Sequence, residues 1–214
     1  MPQIAAYHKK LFEGTNHKLK LLILICIPLR QKQLCIRERE WLMEVGLTWP
    51  LQRLLHLRVP YGEAERAFCW DAHCIMLYGR SSLLLVHCES RYTLVRFDLS
   101  PFDWARLDAL ALEEISLGLL ESGADEAACR AYLDALGELK FTRTHGRREV
   151  AFLNRAWEDV LAADLLIDRE NSRQPLLNAA VNDLPCRCAG EDVICSAREH
   201  LLRCFKRYKE EGAL

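Results

Sequence analysis

Residues 70–104 read WDAHCIMLYGRSSLLLVHCESRYTLVRFDLSPFDW, and this stretch decides the fold. Residues 73–78, 82–88 and 92–99 are three β-type runs, separated by Gly79-Arg80-Ser81 and Glu89-Ser90-Arg91. Connections this short join only antiparallel neighbours, so the runs predict a meander. Ser100-Pro101-Phe102-Asp103 then opens a helix: Ser accepts backbone N–H bonds as N-cap, Pro suits the first helical position, and Asp suits the positive end of the dipole. Trp104, Leu107, Ala111 and Ile115 recur at helical spacing and are expected to pack on the sheet, with Gly123 ending the helix.

Downstream, the pattern predicts a helix over 124–136 stopped by Gly137 and a strand over 139–144. A helix over 149–167 follows, with an apolar stripe of Val150, Leu153, Trp157 and Leu161. A last helix after Glu191 presents Ile194, Ala197, Leu201, Phe205 and Tyr208, and its basic end complements the dipole. Upstream, residues 30–44 read as a helix, 51–59 as a short strand closed by Pro60, and 62–72 as a helical turn. The expected class is α+β: a small antiparallel meander sheet with helices packed on one face, plus a C-terminal helix. Residues 1–50 read as an N-terminal extension, 51–184 as the core domain and 185–214 as a C-terminal helical segment.

The 214 residues carry a net charge of −1, which hides an asymmetry. Residues 1–60 hold ten Lys/Arg against four Asp/Glu, and the remainder is net acidic. Met43 is a candidate natural start, with 1–42 as upstream sequence. Residues 21–29, LLILICIPL, are far short of the roughly 20 a membrane helix needs and have no small-residue cleavage site after them, so a buried strand is expected there. Ten cysteines in a large, glycine-poor, helix-rich chain read as reduced thiols, which places the protein in the cytoplasm.

Trp70-x-Ala72, Arg80, the run LLLVHCESRY from Leu83 to Tyr92, and Thr144 with Arg147, Arg148 and Leu153-Asn154 resemble a small uncharacterised bacterial domain family over about 51–184. That family's last segment resembles an Arg-Ser-Val-Leu-Gly pattern ending in Asn-Asp. Here Asn154 is present and Arg155 stands where the acid would be, which removes support for an Asn-Asp pair. The resemblance implies a fold and no activity.

No nucleotide loop, nucleophile elbow, HExxH helix or paired-carboxylate signature is present. Two constellations remain. Cys186-x-Cys188 precedes His200-x-x-x-Cys204, whose last two side chains share a helix face, so these four are candidate ligands for a structural zinc, with Cys195 as a substitute. The cysteine pair is spaced more tightly than is usual for zinc, and buried thiols are the competing reading; no cofactor is the default expectation. Arg80, Arg147, Arg148 and Asn154 are candidates for anion binding near the start of the 149–167 helix, with His145 as the candidate catalytic base. His73 and His87, which adjoin apolar strand residues, read as structural.

The function expected on these grounds is that of a small cytosolic accessory or regulatory protein, bacterial by the resemblance, that binds a macromolecular partner, either another protein or a second copy of itself, with no membrane role. One alternative is an enzyme acting on a phosphate-containing substrate or nucleic acid through the Arg/His cluster. The other is a nucleic-acid-binding regulator using the basic N-terminal region or the basic end of the last helix.

Overall fold

A computed structural model describes residues 43–135, 138–187 and 194–210. The expected strand at 21–29, and the expected helix at 30–44 as far as residue 42, lie outside the described residues.

The meander is present as read. Strand β2 (Cys69–Leu77) pairs antiparallel with β3 (Arg80–His87), and β3 with β4 (Thr93–Arg96). Tyr78 and Gly79 both have positive φ, the twist a two-residue hairpin requires. The sheet is nevertheless larger and mixed. A strand β1 (Glu44–Leu47) lies parallel to β2 on one side and to β5 (Lys140–Arg143) on the other, giving the order β4-β3-β2-β1-β5. Glu44 therefore belongs to a strand and not to the end of a helix. Four residues with a glycine among them carry no periodicity, so β1 is recognisable only through its partners.

Two further elements differ from expectation. Residues 51–59 do not form a strand, because Thr48-Trp49-Pro50 opens a short helix α1 (Trp49–Leu54) with proline in its first turn. Its Gln52 side chain donates to Leu47 O at 2.7 Å, which ties the helix back to β1. A single 3₁₀ turn (Arg66–Phe68) replaces the helical turn expected at 62–72, and β2 starts four residues earlier than expected.

Helices cover both faces of the sheet, not one. The run Leu83-Leu84-Leu85-Val86 is buried throughout, so alternate side chains enter two cores. Leu83 and Leu85 meet α3 (Leu107–Glu121), α4 (Glu126–Ala135) and α7 (Ala197–Glu210), contributing Ile115, Tyr132 and Phe205 among others. Leu84 and Val86 meet α5 (Arg147–Ala162) and α6 (Pro175–Asp183) through Leu153, Val160, Leu177 and Val181.

Ser100 caps α2 (Pro101–Trp104) with a reciprocal capping box to Asp103, as its sequence indicates, but the helix breaks before α3. The buried face of α5 runs through Leu153, Ala156 and Val160, leaving Leu161 exposed, and a 3₁₀ turn (Asp164–Leu166) follows it. Helix α6 has no counterpart in the expected pattern. It brings Asn178 and Asn182 to the open edge of β4, where they hydrogen-bond the backbone of Thr93 and Val95 in place of another strand. A short hairpin of β6 (Pro185–Arg187) and β7 (Ile194–Ser196) leads into α7, whose Ala197, Leu201, Phe205 and Tyr208 are buried as the stripe predicts, whereas Ile194, expected on the same helical stripe, lies in β7 and is exposed.

Candidate functional site: a buried histidine between carboxylates and thiols

The pairing of β1 with β2 aligns Glu44 with Cys69 and Gly46 with Asp71. Cys88, just past β3, stands opposite Cys69, and its N–H donates to Cys69 O at 2.9 Å. Strand geometry therefore points Glu44, Cys69, Asp71 and Cys88 to one face, the α5 side. All four are buried. A polar row inside a sheet needs partners, and the loop after β5 provides them.

That loop lays His145 over β1. Its Nδ1–H donates to Asp71 Oδ1 at 2.6 Å, its Nε2 lies 3.2 Å from Glu44 Oε2, and Cys88 Sγ is 3.5 Å from Nδ1. The imidazole side chain is 1 % exposed. Two glycines make this close approach possible. A Cβ at Gly46 would stand 2.1 Å from Asp71 Oδ1 and 2.9 Å from His145 Nδ1, and a Cβ at Gly62 would stand 2.0 Å from Glu44 Oε2.

Residues 60–66 strap the centre shut. Pro60 O accepts from Arg143 N, Glu63 N–H donates to Glu44 Oε1 at 3.0 Å, and the Cys69 thiol donates to the carbonyls of Ala64 and Glu65. Arg66 closes one side, donating to His145 O at 2.6 Å and to the buried Glu149 at 3.2 Å. On its outer side Arg66 lines a cleft of about 340 Å³ with Glu65, Phe68, Glu89 and Tyr208.

Burial opposes a charge on His145, but the hydrogen bonds from Asp71 and Cys69 outweigh it and hold its pKa up at about 10. Burial raises Asp71 in turn, and pushes the Cys88 thiol well above its ordinary value. The raised His145 pKa makes the ring an imidazolium at neutral pH, set between the Asp71 and Glu44 side chains and beside the sulfurs of Cys69 and Cys88.

The candidate base His145 is at the heart of this centre. The other residues read as anion ligands are spread out. Arg80 pairs with Asp98 at the β2–β3 turn, and Arg148 donates to Glu149 at 2.7 Å. Glu149 itself occupies the start of α5. Arg147 and Asn154 are exposed on the same helix. Of the proposed zinc ligands, Cys188 lies outside the described residues; Cys186 is half-buried opposite Cys195, and His200 and Cys204 are buried one turn apart on α7. His87 is a satisfied core residue, bonded to Ser90 and Ala67 O, and His73 meets Thr48 at 2.9 Å. Sequence reasoning missed Glu44, Cys69, Asp71 and Glu149. The signal available was Asp71, an acid in the middle of an otherwise buried strand.

A mixed five-stranded sheet between two helical layers, with this polar centre under the strap, makes the protein an α+β domain. It belongs to a family described as a domain of unknown function, DUF6933, whose profile matches residues 45–199, from β1 into α7. No functionally curated protein matches the chain. No described helix is long and apolar enough to cross a membrane.

Proposed function

We propose that this protein is a cytoplasmic accessory or regulatory protein that works by binding a protein partner through an exposed apolar corner. The observation that carries this reading is Leu165, which is 94 % exposed in the 3₁₀ turn after α5. Leu161, Leu166 and Tyr78 are exposed around it. The corner is built, not loose. Tyr78 Oη donates to Asp164 O at 3.3 Å, and the Arg169 guanidinium stacks 3.6 Å from the Tyr78 ring centroid. Grouped exposed apolar side chains of this kind gain free energy when a partner covers them. The occupant we assign is a different protein presenting apolar side chains.

Turnover at the His145 centre has less support, because both ring nitrogens are engaged and the side chain is sealed.

The test is cross-linking capture from the native host, followed by titration of the purified partner with the full chain and with Leu165→Asp. We expect micromolar or tighter binding that weakens at least about tenfold in the variant, the cost of losing one buried leucine. Equal binding by both proteins, or association only with a second copy of the chain, would overturn the assignment.

A further inference from the structure

We propose that the His145 centre is a binding site for one divalent transition-metal ion of the zinc class, held by His145 Nε2, Cys69 Sγ and Glu44 Oε2. Metal binding here does not depend on partner binding at the Leu165 corner. The three donor atoms lie within 4.8 Å of one another. Ligands on a tetrahedral zinc ion with bonds of about 2.0–2.3 Å stand about 3.3–3.8 Å apart, so an ion can enter with side-chain adjustments of about 1 Å.

A second set, Asp71, Cys88 and His145, meets the same limit. The orientation of the imidazole decides between them. A ligating histidine almost always donates its other ring N–H to a carboxylate, which fixes the tautomer and raises the basicity of the metal-binding nitrogen. Asp71 already takes the Nδ1–H at 2.6 Å, so Nε2 faces the ion. Glu44 is oriented in the same manner. Its Oε1 accepts Glu63 N–H at 3.0 Å, leaving Oε2 turned towards Nε2.

One nitrogen, one sulfur and one carboxylate oxygen select a borderline-soft ion over magnesium or calcium, which prefer all-oxygen shells. On binding, His145 gives up its Nε2 proton and the Cys69 thiol gives up its own, both to solvent; the thiol leaves its contacts with Ala64 O and Glu65 O, and the neutral imidazole and the thiolate take the ion instead. Three side chains leave a tetrahedral ion one position for solvent.

The experiment uses the full chain, stripped with chelator and reloaded. Zinc is titrated against a competing indicator, cobalt(II) is followed by absorbance, and the zinc-loaded protein is examined by X-ray absorption. We expect one ion per chain, a first shell of one sulfur and three nitrogen or oxygen atoms, and a thiolate-to-cobalt charge-transfer band. Cys69→Ser should abolish that band and weaken zinc binding by about a hundredfold or more, whereas Asp71→Asn should keep the band and lose about 10–100-fold in affinity. A Cys186→Ser, Cys204→Ser double variant should change neither. The proposal falls if no ion binds at micromolar concentration, if the shell holds two or more sulfurs, or if the band survives Cys69→Ser and disappears in the double variant. Should Cys69→Ser fail to fold, the sulfur count of the unaltered protein decides between one thiolate ligand and several.

Discussion

Asp71 and His145 are 74 residues apart in the chain and 2.6 Å apart in space, and the gap between them is open because residue 46 has no side chain. Gly46→Ala would put a methyl group 2.1 Å from Asp71 Oδ1, on a buried central strand that cannot shift. We expect a loss of about 3 kcal/mol, the upper end of overpacking costs, in urea unfolding. Gly79→Ala is the matched control. Its Cβ would meet nothing within 4 Å, so only the positive φ of the turn is strained, at a cost of about 1 kcal/mol.

Asn182 is predicted to guard the sheet edge. Its Oδ1 accepts Thr93 N–H and its Nδ2 donates to Thr93 O, each at 2.7 Å. Asn182→Ala leaves both backbone groups without those partners in a buried position, which costs about 2–3 kcal/mol. Hydrogen exchange at the Thr93 amide should accelerate in step with the lost stability. Unchanged protection at Thr93 would mean that the edge is held by other contacts.

How much of this was legible in advance depended on sequence separation. The meander and the Ser100 cap are local patterns, with alternation, tight turns and a capping box spelled out within 35 contiguous residues. The two-sided burial of the sheet was also available, because Leu83-Leu84-Leu85-Val86 has no polar alternate. Strand β1 was not, since Glu-Val-Gly-Leu is too short to carry a period. The site suffered most. His145 could be singled out by residue type, but Glu44, Cys69 and Asp71 reach it only through the parallel pairing of β1, a long-range event with no local signature.

The buried Glu114 on α3 accepts from Arg96 Nη1 at 3.0 Å and lies 3.4 Å from Arg173 Nε. Burial raises its pKa even with both arginines present. Arg96→Met removes the closer cation and should destabilise the fold by about 3 kcal/mol at pH 7, because a buried carboxylate loses a partner. A carboxyl raised in the folded state is stabilised below its unfolded pKa and loses that stabilisation as pH rises, so the deficit should shrink towards pH 5. Adding Glu114→Gln should recover part of the loss at pH 7. Recovery of nothing would show that Arg96 acts through packing alone.

His87 gives the protein a measurable acid sensitivity of the opposite sign. Burial, opposed by its bond to Ala67 O and by Glu89 and reinforced by His200, lowers its pKa from 6.5 to about 4. A histidine with a depressed folded pKa contributes stability that is full above 6.5 and is lost as pH falls towards 4, where the unfolded chain takes the proton first. Between pH 6.5 and 5 this residue alone should remove about 1.5 kcal/mol. His73, also lowered by burial, acts in the same direction, whereas Asp71, Glu114 and Asp159, all raised, act against it. His87→Gln keeps an amide able to bond Ser90 and Ala67 O but cannot titrate. The difference between the two urea-derived stabilities across this window therefore isolates His87. It should grow in favour of the variant as pH falls, and a constant difference would mean that His87 takes up its proton equally in the folded and unfolded chains.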